Sequence, residues 1–309
     1  MTEKKHVQES EAVQQAATLA SALPYLRRYA GDTIVVKFGG HAMGDGNLAH
    51  TFGKDIALLK LVGINPVVVH GGGPQINQML DRLGLKSTFV DGLRVTDEKM
   101  IDVIEMVLCG NVNKSVASLI NRAGALAVGI SGKDGGMIRA RKLLRKTIHP
   151  ETKEETVSDL GFVGEPHRVD PQVLYALSCS GLIPVVAPIA TGDDGETYNI
   201  NADTAAGVIA GAVHATRLLM LTDVPGVLDR DGKLISELTA SEARRLIEEG
   251  TISGGMIPKV ETCLEAVRAG ARAAVIVDGR VPHACLLELF TTRGSGTMIR
   301  SESGSDYAS

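Results

Sequence analysis

Short, continuous apolar runs recur along the chain from residue 33 onward, and polar segments with helical periodicity separate them. The runs are rich in β-branched residues and do not alternate with polar residues, as expected for strands buried on both faces of a sheet. They occupy residues 34–36, 66–69, 126–130, 183–186, 218–221 and 273–277. Between them, apolar residues recur at helical spacing, for example over 100–108 and 260–267. This alternation predicts an α/β fold with one open, mainly parallel sheet sandwiched between helices.

An amphipathic segment over residues 8–29 precedes the first predicted strand. Its apolar face comprises Val13, Ala16, Ala17, Ala20 and Leu23. Pro24 is expected to end this helix, with Tyr25 and Leu26 beyond it. The apolar face needs a partner, which is either the chain's own domain or another subunit, and the sequence leaves both alternatives open.

The strand and helix rhythm stops between residues 142 and 171. Residues 146–159 are polar and contain a Pro150-Glu151 turn signal, which predicts a hairpin rather than a linker. At the end of the chain, residues 301–309 are small and polar and are expected to be disordered.

Composition and charge narrow the class of protein. Of the 309 residues, 44% are apolar, 22% are charged and 3% are aromatic, which is typical of a soluble α/β protein. The 32 basic and 36 acidic residues give a net charge of −4, so no global field attracts nucleic acid or an anionic membrane. The N-terminus lacks the apolar region of a signal peptide, and no apolar run approaches the ~18 residues of a membrane span. We therefore expect a cytoplasmic protein that binds neither nucleic acid nor membranes.

Cysteine usage agrees with a reducing compartment. The four cysteines, Cys109, Cys179, Cys263 and Cys285, are far apart in the sequence, and no C-x-x-C pair occurs. Each lies in an apolar stretch, so we interpret all four as buried free thiols.

Two glycine-rich turns follow the first two predicted strands. The first reads Lys37-Phe38-Gly39-Gly40, and the second reads His70-Gly71-Gly72-Gly73-Pro74. The carboxyl ends of parallel strands meet at one edge of a sheet, where glycines let backbone N–H groups approach an anion closely. The chain has no G-x-x-x-x-G-K followed by Ser or Thr, which excludes a Walker-type loop. A loose dinucleotide fingerprint at 44–49 begins too far past its strand and is interpreted as chance.

Three further clusters carry side chains that suit anion chemistry, and each has an ordinary alternative. Arg94, in Gly92-Leu93-Arg94-Val95-Thr96, is either a ligand-binding cation or a surface charge. Asp203, in Asn199-Ile200-Asn201-Ala202-Asp203, is either a site residue or only an acid at the start of a helix. Lys259, at the end of the 254–259 segment, is either a phosphate-facing cation or a solvated residue of a first helical turn.

The order of these motifs resembles the amino acid kinase family over residues 33–299. That family has a K-x-G-G strand end, a glycine-rich second turn, an N-x-N-A-D-like segment and a late G-G-M-x-x-K. Within it, the set G-G-G-P-x-I, G-x-R-V-T and N-x-N-A-D is similar to the branch that phosphorylates N-acetyl-L-glutamate. It is less similar to the branches acting on aspartate, glutamate, carbamate or uridylate.

The resemblance implies a role for each matching residue. Lys37 and Lys259 would neutralise charge on a phosphoryl group transferred from ATP, and Asp203 would orient both lysines. N–H groups of Gly39 and Gly40 would contact the phosphates. The acceptor N-acetyl-L-glutamate would be bound by Gly72, Gly73, Arg94 and Asn199. The nucleotide would be bound by the stretch that contains Asp223, Val224, Gly226 and Leu228.

The implied reaction also explains which residues are not expected. A carboxylate acceptor has an unperturbed pKa of ~4.3, so it is already the nucleophile at neutral pH and needs no general base. Mg²⁺ binds mainly through nucleotide oxygens and keeps several waters, so no protein residue is assigned as a metal ligand.

The two ends of the chain resemble additions found in arginine-inhibited members of the family. In those relatives N-terminal helices interlace dimers into a hexamer, and L-arginine binds between that helix and the C-terminal lobe. The resemblance implies that Glu288 pairs with the effector, that Gly294 and Gly296 contact it through the backbone, and that Tyr25 lies at the helix junction. The alternative is a plain helical cap and a plain turn.

These implications divide the chain into an oligomerisation helix (1–30), an acceptor lobe (31–210), a nucleotide lobe (211–300) and a tail (301–309). Two other functions remain open from sequence. One is another amino acid or carbamate kinase of the same fold. The other is a non-catalytic arginine or nucleotide sensor, against which the two lysines argue, since a binder has no need for both.

Overall fold

The computed structural model of the chain describes residues 2–90, 92–148, 155–292 and 294–302. The strands are β1 (Thr33–Phe38), β2 (Asn65–His70), β3 (Thr88–Val90), β4 (Leu93–Val95), β5 (Ala127–Ser131), β6 (Ile138–Ile148), β7 (Glu155–Val169), β8 (Ile183–Ala187), β9 (Ile189–Gly192), β10 (Thr197–Asn199), β11 (Arg217–Thr222), β12 (Glu237–Thr239), β13 (Ala273–Asp278) and β14 (Thr297–Arg300). The α-helices are α1 (Thr2–Tyr29), α2 (His41–Gly44), α3 (Gly46–Leu61), α4 (Gly73–Arg82), α5 (Glu98–Glu105), α6 (Asn113–Arg122), α7 (Gln172–Cys179), α8 (Ala202–Ala212), α9 (Ala240–Glu248), α10 (Met256–Arg268) and α11 (Ala284–Phe290).

The main sheet has the order β12-β14-β13-β11-β1-β2-β8-β5. All its pairings are parallel except that of β13 with β14. Each of the six apolar runs singled out in the sequence is a strand of this sheet, which confirms the predicted fold class.

Helices cover both faces of the sheet, and β1 contributes to the core on each side. Ile34, Val36 and Phe38 pack on one face with residues of α3 to α6 and α11. Val35 packs on the other face with residues of α8 and α10. Because side chains alternate along a strand, Lys37 points to the same side as Val35. This alternation directs Lys37 toward α8 and α10.

A second, smaller sheet closes on itself in the order β10-β7-β6-β9. The antiparallel pair of β6 and β7 confirms the predicted hairpin, although its turn at 149–154 lies outside the described residues. The closure by β9 and β10 was not predicted. These strands have four and three residues, which is too short for a period-2 pattern to be recognised in the sequence.

The N-terminal helix differs from the prediction at its end. α1 continues through Pro24 to Tyr29, so the expectation that Pro24 ends it was wrong. An internal proline costs about 3 kcal/mol of helix stability. Contacts beyond Pro24 offset this cost, since Tyr29 is buried and its ring lies under the guanidinium groups of Arg28 and Arg217.

The apolar face of α1 does not pack on the described part of its own chain. Val13 and Leu23 are 69% and 55% exposed, and Ala16, Ala17 and Ala20 are exposed as well. Contact with the body of the protein lies near the end of the helix, where it meets α11. Of the two alternatives left open by the sequence, packing on the chain's own domain is therefore contradicted for this face.

Residues 98–122 form one continuous helical segment, in which a π-helical stretch, Met106–Val112, joins α5 to α6. By length and composition this segment could cross a membrane. It was not predicted as such from the sequence, because Asp102, Glu105 and Lys114 interrupt its apolar residues. Half of its most apolar window is buried inside the protein. It packs in the core on one face of the main sheet, so we interpret it as a core helix.

Two further sequence predictions concern the burial of the cysteines and the C-terminal tail. All four cysteines are free, and Cys263 and Cys285 are buried as predicted. Cys109 is half-buried and Cys179 is exposed at the end of α7, so the prediction of burial was wrong for Cys179. Most of the tail, 303–309, lies outside the described residues.

Candidate active site

Three loops meet at the carboxyl edge of the main sheet around β1. The chain leaves β1 toward β2 on one side and returns to β11 on the other, so β1 lies at a topological switch point. Ligands of open α/β sheets bind in the crevice outside such a point. The turns at 39–40, 71–73 and 223–228 directly follow β1, β2 and β11, and therefore line this crevice.

Lys37 and Lys259 converge on one carboxylate at this edge. The Nζ atom of Lys37 lies 2.9 Å from Oδ1 of Asp203, and the Nζ atom of Lys259 lies 3.4 Å from Oδ2. The three side chains are 12%, 24% and 18% exposed for Lys37, Lys259 and Asp203, respectively. The structure thus joins residues separated by more than two hundred positions in one half-buried cluster. The alternative of a solvated Lys259 is contradicted.

Local structure places each member of the cluster. Lys37 is the fifth residue of β1 and faces the α8 and α10 side. Asp203 lies in the first turn of α8, whose N-terminus is capped by Asn201 accepting from the N–H groups of Asp203 and Thr204. Lys259 lies in the first turn of α10, which packs against α8. Asp203 is therefore a helix N-terminal acid and a cluster member at once.

The charge balance of the cluster favours ionised Asp203. Burial by itself would raise the pKa of this carboxyl group. The charges of Lys37 and Lys259 and their hydrogen bonds outweigh burial and hold the pKa below its ordinary value. One carboxylate thus faces two ammonium groups, which leaves a net positive charge beside the crevice.

The first glycine turn lies against the Lys37 ammonium group. A Cβ atom at Gly39 would lie 3.3 Å from Nζ of Lys37, a tight contact that would push the ammonium group aside. Gly40 has a φ of 64°, a conformation that side chains other than glycine rarely adopt. The two glycine turns are joined by a hydrogen bond of 2.8 Å from the N–H of Gly71 to the carbonyl of Phe38.

The second glycine turn leads into the N-terminus of α4. Gly72 is the N-cap and Gly73 is the first residue of the helix, so the N–H groups of the first turn have no partner within the helix. A Cβ atom at Gly72 would lie 2.5 Å from Cδ2 of Leu108, in the π-helical stretch. A side chain at Gly72 would therefore have to displace that of Leu108, and the N–H groups of the turn lie where an anion is favoured.

Arg94 lies next to this turn and is 7% exposed. Its guanidinium group donates to the hydroxyl of Ser87 and, at 3.4 Å, to the carbonyl of Gly73, and it stacks over the ring of Phe89 at 4.6 Å. Burial lowers the pKa of Arg94, but a guanidinium group remains cationic at neutral pH. The alternative of a surface charge is contradicted.

Asn199 is the last residue of β10, where it pairs with Ile189 and Val163. It lies two residues before the Asn201 cap and four before Asp203, so the short segment between β10 and α8 links it to the lysine cluster. Its side chain is half-buried.

The stretch after β11 runs from the crevice toward β14. Asp223 is exposed, Val224 is half-buried, and Leu228 is 38% exposed. Gly226 has a φ of 140°, and a Cβ atom there would lie 2.6 Å from Oγ1 of Thr297. That hydroxyl accepts from the N–H of Val227 at 2.8 Å and fixes the turn to the sheet.

The four residues proposed for an effector lie together at the junction of α1 and α11. Tyr25 donates to the hydroxyl of Thr292 at 3.3 Å. Oε2 of Glu288 accepts from the N–H groups of Ser295 at 2.7 Å and Gly296 at 3.1 Å. A Cβ atom at Gly294, whose φ is 64°, would lie 2.7 Å from the same oxygen. Burial raises the pKa of Glu288, although the two backbone hydrogen bonds oppose the shift.

Two buried or half-buried polar groups were not singled out from the sequence. His70 was quoted only as part of the glycine-rich turn, yet it is fully buried and contacts Asn113. Lys133 was given no role from the sequence, yet it bridges Glu105 at 2.8 Å and Thr197 at 2.9 Å. The strand-end position of His70 was a usable signal, whereas nothing local to residue 133 indicates its partners.

The chain was compared with known proteins by sequence. The sequence profile of the amino acid kinase family matches residues 32–278. The chain is 74% identical over 291 residues to the acetylglutamate kinase of Gluconobacter oxydans, covering 94% of this chain and 99% of that protein. It is 75% identical over 292 residues to the acetylglutamate kinase of Gluconacetobacter diazotrophicus, covering 94% and 93%.

Solved structures agree with this grouping. The N-acetylglutamate synthase of Neisseria gonorrhoeae, in complex with coenzyme A and N-acetyl-glutamate, superposes with a TM-score of 0.79 at 26% identity over 93% of this chain. Its complex with coenzyme A and L-arginine gives 0.74 at 26% identity over 92%. The chain spans only 64% and 65% of these synthase chains. Carbamate kinase of Giardia lamblia shares the fold at 17% identity, with a TM-score of 0.62 over 89% of this chain and 100% of that one. The chain is therefore an enzyme of the amino acid kinase family and, within that family, belongs with the acetylglutamate kinases.

Proposed function

We propose that this enzyme transfers the γ-phosphoryl group of ATP to the side-chain carboxylate of N-acetyl-L-glutamate, as a step of arginine biosynthesis. The observation that carries the proposal is the sharing of Asp203 by Lys37 and Lys259 at the glycine-lined crevice. A phosphoryl transfer needs positive charge on both sides of the migrating group. The names and high identity of the relatives supply the acceptor.

The reaction requires alignment rather than a general base. The acceptor carboxylate is ionised at neutral pH and attacks the γ-phosphorus directly, while the bond to the β-phosphate oxygen breaks and ADP leaves. Lys37 and Lys259 neutralise charge on the transferring group, and Asp203 fixes their positions. Mg²⁺ would accompany ATP and would be held mainly by phosphate oxygens and water, where it would help to neutralise the phosphate charge. This fits the site, because the carboxylate of Asp203 already binds two ammonium groups.

The acceptor is proposed to bind between the second glycine turn and Arg94. The N–H groups of Gly72 and Gly73 at the start of α4 suit a carboxylate or phosphate oxygen. Arg94 offers a buried guanidinium group for the α-carboxylate, where a planar fork matches two oxygens. Asn199 contributes polar side-chain atoms from the end of β10.

The nucleotide is proposed to bind on the opposite side of β1. Gly39 and Gly40 contact its phosphates, and the stretch with Asp223, Val224, Gly226 and Leu228 holds the nucleoside. This assignment makes 31–210 the acceptor lobe and 211–300 the nucleotide lobe. Closure of the lobes would keep water from the acyl phosphate product.

We further propose that L-arginine inhibits the enzyme and that α1 joins subunits into dimers and a hexamer. The exposed apolar face of α1 supports the second part, since such a face needs a partner. The half-buried carboxylate of Glu288, with Gly294 and Gly296 against it and Tyr25 at the same helix junction, supports the first part, because a guanidinium group is a natural counter-ion for a carboxylate. The four free thiols fit a cytoplasmic location.

A coupled ADP-release assay tests the acceptor. We expect turnover with N-acetyl-L-glutamate and far lower kcat/KM with glutamate, aspartate and carbamate. Highest turnover with one of the others would identify a different kinase of the same family. Intact ATP binding without turnover on any acceptor would favour the non-catalytic sensor.

The same assay, repeated with L-arginine, tests regulation. We expect inhibition that weakens in Glu288→Gln without a change in uninhibited kcat. Equal inhibition of both proteins would remove Glu288 from the effector site.

A further inference from the structure

His70 is the last residue of β2 and is completely buried. Its Nδ1 atom lies 2.7 Å from the carbonyl oxygen of Gly71, and its Nε2 atom lies 3.1 Å from Nδ2 of Asn113. A carbonyl oxygen can only accept, so Nδ1 carries the proton and donates to Gly71. Nε2 is then the acceptor for the amide of Asn113. These contacts define one neutral tautomer of the imidazole.

Asn113, at the start of α6, is buried and anchors His70 to two other strands. Its Nδ2 atom also lies 2.8 Å from the carbonyl of Val185 in β8 and 3.1 Å from that of Ile130 in β5, so its two N–H hydrogens are shared among these carbonyls and Nε2 of His70. Its Oδ1 atom accepts from Nζ of Lys114 at 3.2 Å. The amide orientation is therefore fixed, because a flipped amide would place its oxygen against two carbonyl oxygens.

The contact from His70 controls the direction of a neighbouring N–H group. The peptide bond between Gly71 and Gly72 is trans, so the carbonyl of Gly71 and the N–H of Gly72 point in opposite directions. An imidazole that holds the carbonyl on one side therefore holds the N–H on the other. Glycine needs such an external constraint more than any other residue, because its backbone is the most permissive.

We propose that His70, held in its Nδ1–H tautomer by Asn113, is a positioning residue for the acceptor. It fixes the Gly71–Gly72 peptide plane so that the N–H groups at the start of α4 are preorganised for the acceptor's oxygens. The inference rests on the proposed function for the identity of the acceptor. It extends that function by a residue that touches neither substrate nor phosphate.

Electrostatics agree with a permanently neutral His70. Burial is the main cause that lowers its pKa to about 4, the hydrogen bond to Gly71 opposes the shift, and the charge of Lys114 adds to the lowering. A proton on Nε2 would place two donors face to face, from His70 and Asn113. The imidazole therefore acts as a hydrogen-bonding spacer and not as an acid or base.

Two amide substitutions separate the two nitrogens of the imidazole. His70→Asn places its amide nitrogen near the position of Nδ1 and keeps the donor to Gly71. His70→Gln places its amide near the position of Nε2 and keeps only the contact with Asn113. We expect His70→Gln to raise the acceptor KM about fivefold to tenfold, the range for loss of one hydrogen bond, with the ATP KM within about twofold. His70→Asn should stay within about threefold of the wild-type acceptor KM.

A merely structural role predicts a different pattern. If both variants lower the melting temperature while neither changes the acceptor KM, the positioning role is wrong. It is also wrong if the ATP KM and the acceptor KM rise together in His70→Gln. Gly129→Ala gives a second test that leaves His70 itself unchanged. The added Cβ atom would displace the amide of Asn113, which contacts His70. A folded Gly129→Ala protein should raise the acceptor KM in the same direction, and a wild-type value would contradict the proposal.

A substrate-free measurement keeps the inference separate from the proposed function. The order parameter of the Gly72 N–H, measured by ¹⁵N relaxation without substrate, should stay near that of rigid backbone (~0.85) in His70→Asn and fall toward ~0.6 in His70→Gln, because the peptide plane loses the contact that fixes it. ¹⁵N spectra of His70 should report the Nδ1–H tautomer. Equal order parameters in the two variants, or an Nε2–H tautomer, overturn the inference even if the acetylglutamate assay succeeds. The predicted order parameters and tautomer sustain the loop-positioning role even if that assay fails.

Discussion

The lysine cluster and the junction of α1 with α11 are both half-buried sites built around one carboxylate, but the charges around the two carboxylates differ. Asp203 is held by two ammonium groups from opposite ends of the sequence. Glu288 is held by backbone N–H groups, next to a helix whose apolar face is exposed. The pKa of Asp203 is lowered, whereas that of Glu288 is raised.

We propose that this difference corresponds to a division between chemistry at Asp203 and regulation at Glu288. A carboxylate with two permanent counter-charges is fixed in its ionised form and suits a reaction centre. A buried carboxylate with a raised pKa gains from an added cation, so it suits a ligand that comes and goes. We therefore expect chemistry to survive in an isolated chain and arginine control to need α1.

The largest expected effect comes from removing the shared carboxylate. In Asp203→Asn the two lysines lose their common counter-charge and move apart, so kcat should fall roughly 10²–10³-fold, as for loss of an electrostatic catalytic group. The acceptor KM should change far less. Steady-state kinetics and circular dichroism on the same preparation measure this.

Asp193→Asn is the matched control, because Asp193 is 55% exposed and pairs with Arg141 and His167 at the surface. It should keep wild-type kcat. A folded Asp203→Asn enzyme with kcat equal to that of the control would place the reaction centre elsewhere.

A smaller effect is expected from a change at Arg94, which lies beside the second glycine turn. Arg94→Ala removes a buried guanidinium group, so the acceptor KM should rise by about 10- to 100-fold, as for a hydrogen-bonded charge, with kcat reduced less. Arg141→Ala, at a 70% exposed side chain, is the control. An unchanged acceptor KM in Arg94→Ala would refute its role as a clamp for the α-carboxylate.

Deletion of residues 1–29 tests the other region. We expect the particle mass to fall and the response to arginine to disappear, because the apolar face of α1 and Tyr25 are lost. The uninhibited kcat should stay within about threefold, because the ion pairs of Lys37, Asp203 and Lys259 among the described residues do not involve α1. Light scattering and arginine titration measure the two effects. If mass and arginine response are both retained, α1 has neither function.

The smallest expected effect is a difference between the pH at which arginine inhibition is lost and the pH at which kcat falls. The lowered pKa of Asp203 keeps it ionised at every pH above the ordinary value of ~3.9, so its contribution to stability is present there and is lost as the pH falls through the lowered pKa. Glu288 has a raised pKa and takes up its proton at a higher pH than an ordinary glutamate.

On acidification, arginine inhibition should therefore weaken before kcat declines. Inhibition curves at half-unit steps from pH 7 to pH 5 check this order. Loss of kcat at a higher pH than loss of inhibition would reverse the proposed contrast.

The fold was predictable where the pattern was long and regular. Six buried strands carry continuous apolar runs, and the alternation with helices fixes a parallel sheet. The π-helical stretch at Met106–Val112 was not predictable, because its sequence continues a helical periodicity and the extra residue per turn depends on tertiary packing. The end of α1 was predicted wrongly because the tertiary contacts of the buried Tyr29 outweigh the local helix-breaking effect of Pro24.

The residues that meet at the carboxyl edge of the sheet could be named from the sequence, but their contacts could not. The order of motifs singled out Lys37, Asp203 and Lys259, but single positions gave no preference between surface and crevice. Arg94 illustrates this limit, because its burial depends on Ser87, Phe89 and Gly73. The pair of His70 and Asn113 joins residues 43 positions apart and has no motif of its own.

The central claim is that Lys37 and Lys259 act together on one transition state. A double-mutant cycle on kcat with Lys37→Ala, Lys259→Ala and the double variant tests it most directly. We predict that each single change lowers kcat roughly 10²-fold or more, and that the double variant loses far less than the product of the two. An unchanged kcat in either single variant, or losses that multiply fully, would contradict a shared reaction centre.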